Sequence, residues 1–260
     1  MDLIYWIILF SLLGGVLSVM AASVFLLIPE PYRSRILPHS VSFAIGALLG
    51  ASFLALLPHA ITGEHRIEVH DLGLTVLIGM LSFFILEKMV IWRHCHTTHC
   101  EAHTPNSQHA EHKAAGSMIL IGDGLHNLVD GVLIAAAFMT DFHLGVVTSL
   151  AVATHEIPQE VGDFAVLLNS GFSRAKALLY NVLVSLTTLV GALLAYYSLA
   201  GMNQILPYIL AIAAASFIYV AVADLIPGLH KRTQFMATVQ QVVLIVAGVL
   251  VIYFAHSTLH

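Results

Sequence analysis

Long runs of apolar residues alternate with short polar connections along the whole chain. A transmembrane helix needs about 20 mostly apolar residues, and eight runs meet that length: 3–28, 39–57, 72–92, 117–139, 144–169, 175–199, 204–226 and 238–255. The first run has no basic segment before it and is longer than the apolar core of a signal peptide, so we interpret it as a retained helix. The pattern predicts an all-α integral membrane protein with eight transmembrane helices, forming one transmembrane domain over residues 1–260.

The positions of the basic residues predict the orientation. If the connection 29–38 is cytoplasmic, nine of the ten Lys and Arg residues fall on the cytoplasmic side and Arg66 alone falls outside. Such an excess marks the inner side of membrane proteins. We therefore expect both termini outside. The small size and the lack of a large outer domain favour a bacterial inner (plasma) membrane, with periplasmic termini.

Composition narrows the class of protein further. Hydrophobic residues make up 58% of the chain and charged residues 10%, which excludes a soluble globule and a nucleic-acid-binding protein. Two cysteines are too few for a disulfide framework, whereas 16 histidines supply many metal ligands. The expected partners are the lipid bilayer and a divalent metal cation, with no nucleic acid. A homodimer is a candidate assembly.

The ends of the second and seventh predicted helices resemble each other. Both carry a Leu-x-Pro phrase, which ends in Pro58 in one and Pro227 in the other. These two ends fall on opposite faces of the membrane, as an inverted repeat would place them. The alternative is that this phrase simply terminates many apolar helices.

Acidic residues lie inside the predicted helices: Asp123, Asp130, Glu156, Glu160, Asp163 and Asp224. Each costs about 2.5–3.5 kcal/mol at the centre of a membrane helix, so the three acids of the fifth helix cost about 8–10 kcal/mol. Their face must therefore be directed inward, toward partners, water or bound cations.

The polar residues of the fourth and fifth helices form two stripes. On the fourth helix the spacing i, i+3, i+4, i+7 places four side chains on one face: Asp123, His126, Asn127 and Asp130. The fifth helix carries His155, Glu156, Gln159, Glu160 and Asp163, with a Pro158 that allows a kink beside the stripe. Nitrogen and oxygen ligands suit first-row divalent metals. The alternative is that single polar residues only join helices by hydrogen bonds.

The segment 93–113 is rich in metal-binding side chains, and the orientation makes it a cytoplasmic loop. Its candidate ligands are His94, Cys95, His96, His99, Cys100, His103, His109 and His112. Three interpretations remain open: metal sensing or buffering, hand-off of metal, or a linker without such a role.

The two stripes together resemble a known family. His126-Asn127-x-x-Asp130-Gly131 with His155-Glu156-x-Pro158-x-Glu160 is similar to the Zrt/Irt-like (ZIP) metal transporters, in the subfamily whose fifth helix reads His-Glu-x-Pro-x-Glu. The resemblance implies a bundle of three, two and three helices, with the fourth and fifth lining the path. It implies transport of a divalent cation into the cytoplasm, most often zinc but also iron, manganese or cobalt. The metal is then a substrate, with no cofactor and no enzymatic reaction.

The resemblance also implies a set of ligands. The family positions fall on His126, Asn127, Asp130, His155, Glu156 and Gln159, and Glu160 extends the stripe. Some members hold two metals, and Asp130 is then the expected bridge. A pathway of lower weight adds Asp123, Asp163, Asn181 and Asp224.

This chain departs from the family pattern at three positions. Gln159 replaces a His or Glu, Asn181 replaces a carboxylate of the sixth helix, and Gly228 replaces a frequent acid.

Three other functions are alternatives to transport by this family. An intramembrane zinc metallohydrolase would use His155 and Glu156 as in His-Glu-x-x-His, but the second His position holds Gln159. A cation antiporter of the diffusion-facilitator kind shares the His126-x-x-x-Asp130 spacing but needs a second such motif. A metal receptor without transport is a third alternative.

Overall fold

The computed structural model describes the backbone of residues 2–63, 65–95, 107–232 and 234–259, and it describes their side chains except for 90–95, 107–115, 117 and 259. Eight long helical segments follow one another along the described chain. Helix 1 consists of Leu3–Gly14 and Val16–Phe25, helix 3 is Val69–Cys95, helix 4 is Ser107–Thr140, helix 5 is Phe142–Asn169, helix 6 is Arg174–Ser198 and helix 8 is Phe235–Leu259. Helix 2 consists of Glu30–Gly50, Ala51–Leu56 and Leu57–Thr62, and helix 7 of Leu206–Tyr219, Val220–Leu225 and Ile226–Leu229.

Seven of these helices are apolar and long enough to cross a membrane among the described residues. The remaining one, helix 5, is 28 residues long and carries the three acids discussed above. It lies within the bundle, where it packs against helices 1, 2 and 4. The protein is therefore an all-α integral membrane protein, as predicted.

Ring contacts show which helix ends share a face. Near the start of helix 1, Trp6 packs edge-on against Phe142 at the start of helix 5, with ring centroids 5.2 Å apart. His59 near the end of helix 2 contacts His256 near the end of helix 8, at 5.3 Å. Because successive helices alternate in direction, helix 1 begins and helix 8 ends on the same face, which we call the outer face after the predicted orientation. The opposite face is called the inner face.

The helices pair as an inverted repeat requires. In this repeat helices 1, 2, 3 and 4 correspond to helices 6, 7, 8 and 5. Helix 1 packs on helix 5, and the corresponding helix 6 packs on helix 4. Helix 2 packs on helix 8, and the corresponding helix 7 packs on helix 3. Helices 2 and 7 share a further feature, because each contains a six-residue π-helical segment that ends at the Leu of its Leu-x-Pro phrase. Ser52 in the first π segment donates a hydrogen bond across to the Ala214 carbonyl of helix 7 (3.3 Å). The shared phrase therefore marks equivalent places in the two halves.

Small residues allow the central helices to approach closely. A Cβ on Gly131 of helix 4 would lie 1.9 Å from the Thr188 carbonyl oxygen of helix 6, and a Cβ on Gly191 of helix 6 would lie 2.0 Å from the Leu128 carbonyl oxygen. Helix 1 breaks at Gly15, where a Cβ would lie 2.6 Å from the Ser185 carbonyl oxygen. Helix 6 thereby fixes the position and rotation of helix 4, which carries half of the predicted metal ligands.

Candidate metal centre

Helices 4 and 5 bring four predicted ligands together near the middle of the bundle. They are His126, Asp130, His155 and Glu156. The two imidazole Nε2 atoms are 3.2 Å apart. His155 Nε2 lies 3.4 Å from Asp130 Oδ2 and 3.5 Å from Glu156 Oε1. His126 Nε2 lies 3.7 Å from Asp130 Oδ2 and 3.5 Å from Glu156 Oε1.

These distances match the edges of a metal-binding tetrahedron. Zinc binds nitrogen and oxygen at about 2.0–2.2 Å, which separates neighbouring ligands in a tetrahedron by about 3.3–3.6 Å. Five ligand pairs of the group span 3.2–3.7 Å. The four atoms therefore surround a point that a small divalent cation fits with little rearrangement.

The tautomer of His155 also suits metal binding. Its Nδ1 lies 3.0 Å from the Ala151 carbonyl oxygen, which only accepts hydrogen bonds, so Nδ1 carries the proton. Nε2 then presents a lone pair to the other three ligands, in the arrangement usual for metal-bound histidine. Phe217 of helix 7 packs edge-on against the same ring at 6.0 Å and holds its orientation.

The carboxylates of the group are buried and accept no hydrogen bond in the described structure. Asp130 and Glu156 are 1% and 0% exposed, and all four of their carboxylate oxygens lack a donor there. A buried charge is costly unless it is paired or coordinates a metal. A bound divalent cation would compensate both charges at once.

A second acidic group adjoins the first on its inner side. Asp123, Glu156 and Glu160 also place ligand atoms within reach of one ion. Glu156 is common to both groups, whereas the sequence interpretation gave the bridging position to Asp130. The structure therefore places Glu156 between the two candidate metal positions.

Two predicted ligands, Asn127 and Gln159, make hydrogen bonds to Asp123 of the second group. Asn127 donates to Asp123 Oδ1 (2.9 Å) and accepts a hydrogen bond from the Thr188 hydroxyl of helix 6 (2.7 Å). Gln159 donates to the same Asp123 oxygen (3.3 Å). Both amides thus orient Asp123 in this geometry. The Asn181 side chain on helix 6 is buried, and its Oδ1 has no hydrogen-bond partner among the described residues.

A cavity of about 270 Å³ connects the centre with the inner face. Its polar lining comes from helices 3, 4, 5 and 7: Glu87, Asp123, His126, Gln159, Asp163, Tyr219 and Asp224. Two of the predicted pathway residues, Asp163 and Asp224, therefore line the same cavity as the site. The Tyr219 hydroxyl donates to Glu87 across the cavity (2.5 Å) and links helix 7 to helix 3.

Toward the outer face, helices 2, 4, 5 and 7 pack through apolar side chains. The outer apolar layer consists of Leu56, Leu133, Ile134, Val147 and Leu210, all part of one buried core. These residues lie between the ligand positions and the outer ends of helices 2, 4, 5 and 7. The polar cavity that reaches His126 and Asp123 therefore lies on the inner side of this layer, and an apolar cavity of about 440 Å³ between helices 3, 4 and 7 adjoins the layer at Leu133.

Some predicted ligands lie outside the described residues, and the sequence did not predict some contacts of the site. Of the candidate loop ligands, His96, His99, Cys100 and His103 lie outside the described residues, and no side chain is described for His94, Cys95, His109 or His112. Tyr219 and Thr188 were not predicted, because a hydroxyl in an apolar helix gives no signal of its partner.

Comparison with known proteins agrees with this geometry. The model of the family described as ZIP Zinc transporter matches residues 3–113 and 93–256. The chain belongs to this family. The description of this family as zinc transporters favours transport over the metallohydrolase alternative, and membership of this family separates the chain from the diffusion facilitators.

Individual ZIP relatives cover most of the chain. Zinc transporter ZIP13 of Pongo abelii is 31% identical over 81% of this chain and 64% of its own length. The protein of the same name from Mus musculus is 32% identical over 81% of this chain and 67% of its own length. The protein of this name from Gallus gallus is 30% identical over 86% of this chain and 75% of its own length. The chain thus spans about two thirds to three quarters of these relatives.

Proposed function

We propose that the protein carries zinc, or a related divalent transition metal, into the cytoplasm through the four-residue group on helices 4 and 5. The observation that supports this most directly is the spacing of His126, Asp130, His155 and Glu156, which matches a tetrahedral metal site. The names of the relatives favour zinc, and two imidazoles with two carboxylates suit the same ion.

The proposed path runs along helix 5 from the outer face to the inner face. A hydrated cation exchanges water for the four ligands near the middle of the bundle. It then passes to the group formed by Asp123, Glu156 and Glu160 and leaves through the cavity lined by Asp163 and Asp224. Mixed nitrogen and oxygen ligands without a thiolate favour release of the ion.

The direction and the membrane are part of the proposal. The cavity opens to the face that holds nine of the ten Lys and Arg residues, which we assign to the cytoplasm. Both termini are then outside, in the inner membrane of a bacterium. One transmembrane domain, a second metal in the acidic group, and a homodimer complete the proposal.

Uptake into proteoliposomes with a trapped zinc indicator tests this function. We expect uptake by the wild type and its loss, by at least about tenfold, in Asp130→Ala and His155→Ala, since even residues that only orient a ligand change metal affinity or activity by about 10–100-fold. Asp2→Ala is the matched control, because this exposed carboxylate makes no capping hydrogen bond at the start of helix 1.

Two results would contradict the proposal. Wild-type uptake by folded Asp130→Ala would remove this residue from the site. Zinc binding without uptake by the wild type would favour a receptor over a transporter.

A further inference from the structure

A strongly basic cavity lies at the inner face, apart from the metal path. It has a volume of about 750 Å³ between the first turns of helix 2 and the start of helix 8, and we call it the basic cavity. Its charged or titratable lining residues are Arg35, His39, Lys231 and Arg232. None of the eight described lining residues is Asp or Glu.

The basic residues converge from two distant parts of the chain. Arg35 and His39 belong to helix 2, whereas Lys231 and Arg232 belong to the connection between helices 7 and 8. The Arg232 guanidinium donates to the Ser34 carbonyl oxygen (2.7 Å), which joins the two segments. The positive-inside rule accounts for basic residues on this face. It does not account for their meeting around one cavity.

The surroundings of the basic cavity distinguish a lipid from a soluble anion. Met236 lines the cavity and is 65% exposed, and Phe235 beside it is 79% exposed. Ile36, next to Arg35, is also exposed. These apolar side chains lie at the membrane boundary, where acyl chains would cover them. A soluble phosphate would contact the positive charges and leave the apolar rim unused.

We propose that the basic cavity binds the phosphate of an anionic phospholipid headgroup. Guanidinium groups bind phosphate through paired hydrogen bonds, and the Lys231 ammonium adds a compact charge. His39 Nδ1 donates to the Arg35 carbonyl oxygen (2.6 Å), which holds its ring in the cavity wall. The volume falls within the range of about 300–1,000 Å³ that is usual for ligand pockets. The site is independent of the metal that is transported and of the direction of transport.

The test is native mass spectrometry of the full chain in detergent with added phosphatidylglycerol, and with phosphatidylcholine for comparison. We expect the wild type to retain phosphatidylglycerol in preference to phosphatidylcholine. Arg35→Gln and Lys231→Gln should each weaken this binding about fivefold, since one basic residue near an anionic lipid contributes about 1 kcal/mol. Arg232 is left unchanged because it also joins the two segments.

Matched controls come from the same face of the protein. Arg174→Gln and Lys176→Gln remove exposed basic residues at the start of helix 6, away from the basic cavity, and should bind phosphatidylglycerol like the wild type. Thermal unfolding in the same detergent shows whether each variant is folded.

Three outcomes would overturn the proposal. The first is equal retention of the two lipids by the wild type. The second is an equal loss of binding in the cavity variants and the controls, which would indicate a diffuse charge effect. The third is competition by millimolar inorganic phosphate against the bound lipid, which would assign the cavity to a soluble anion.

Discussion

Gln159 is the residue at which the chemistry of this centre differs most from the family pattern. Its amide is neutral and donates to Asp123 Oδ1 at 3.3 Å, so it orients a carboxylate of the inner acidic group. The four-residue group therefore offers a metal two imidazoles, whereas the next group offers carboxylates alone. Since softer nitrogen ligands are absent from the second group, we expect zinc to bind less tightly there.

Replacement of Gln159 by His should reduce this difference in zinc affinity between the two groups. The added imidazole supplies one more ligand beside Asp123, so zinc should bind about tenfold more tightly, equivalent to about 1.4 kcal/mol. Release should slow accordingly, and both the apparent KM and the maximal rate of uptake should fall. The measurement is the initial rate of uptake as a function of zinc concentration.

Gln204→His is the control for this experiment, because it introduces the same side chain in an exposed connection outside the cavity. Unchanged kinetics in Gln159→His would show that position 159 does not contact the ion.

At the level of single residues, helical periodicity predicted which polar side chains share a face. The i, i+4 spacing of His126 and Asp130 places both on one face, and the structure brings them within 3.7 Å. Periodicity did not predict the partner of Asn127, whose amide oxygen accepts a hydrogen bond from Thr188. That choice depends on the rotation of helix 6 against helix 4, which no local pattern encodes.

At the scale of secondary-structure elements, the close contacts between helices depend on glycine. Helices 4 and 6 touch backbone to backbone at Gly131 and Gly191. Gly191→Ala would place a methyl group 2.0 Å from the Leu128 carbonyl oxygen. The helices would have to move apart, and overpacking of this kind costs about 1–3 kcal/mol or more. We expect a lower midpoint of thermal unfolding in detergent.

Gly73→Ala provides the comparison for Gly191→Ala. Gly73 also lies in a helix, but a Cβ there meets nothing within 4 Å, so its midpoint should stay the same or rise slightly. Equal midpoints for the two variants would show that helices 4 and 6 are less closely packed than described.

The turn between helices 4 and 5 is fixed by Asp141, the N-cap of helix 5. Partial burial raises the pKa of its carboxyl, but the Leu144 N–H (2.9 Å) and nearby His143 outweigh this effect, and the net pKa is below its usual value. The carboxylate therefore stabilises the fold above the unfolded pKa of about 3.9, and this contribution is lost as the pH falls through the folded pKa.

Substitution of Asp141 tests this pH dependence. Asp141→Ala should lower stability at neutral pH by about 1 kcal/mol, the usual value of an N-cap. The difference from the wild type should begin to shrink below about pH 4 and should vanish as the pH falls through the lowered pKa of the folded wild-type carboxyl. Asp141→Asn should retain most of the cap without this titration. A difference independent of pH, measured by thermal unfolding in detergent, would assign the effect to packing instead of charge.

Hydrophobic patterning predicted the number and order of the helices but not their internal distortions. The predicted run 39–57 became a helix that begins at Glu30 and ends at Thr62, because its first turns are polar and extend beyond the apolar run. The π segments of helices 2 and 7 precede Pro58 and Pro227, and the Leu-x-Pro phrase marked their place without predicting their form. Helix 5, by contrast, continues through Pro158.

At the scale of the whole molecule, the inverted repeat is related to the position of the polar cavity on one side of the centre. The cavity of about 270 Å³ leads from the ligands toward the inner face, while the outer apolar layer lies on the opposite side. Because the two halves pair their helices equivalently, an exchange of their arrangements would close the inner side and open the outer one. Helices 2 and 7, which carry the π segments, belong to the two different halves that would exchange arrangements.

Labelling from each side of the membrane tests both the opening and the orientation. In a background with Cys95→Ser and Cys100→Ser, Asp163→Cys places a thiol in the cavity and Asp71→Cys places one at the exposed start of helix 3. A membrane-impermeant maleimide added to intact cells should label Asp71→Cys and spare Asp163→Cys, because the cavity opens to the cytoplasm. Inverted vesicles should show the opposite pattern. Labelling of both positions from the same side would contradict the prediction. If Asp71→Cys then reacts in intact cells, the predicted orientation is correct, and the separation of the cavity from the outer face is wrong.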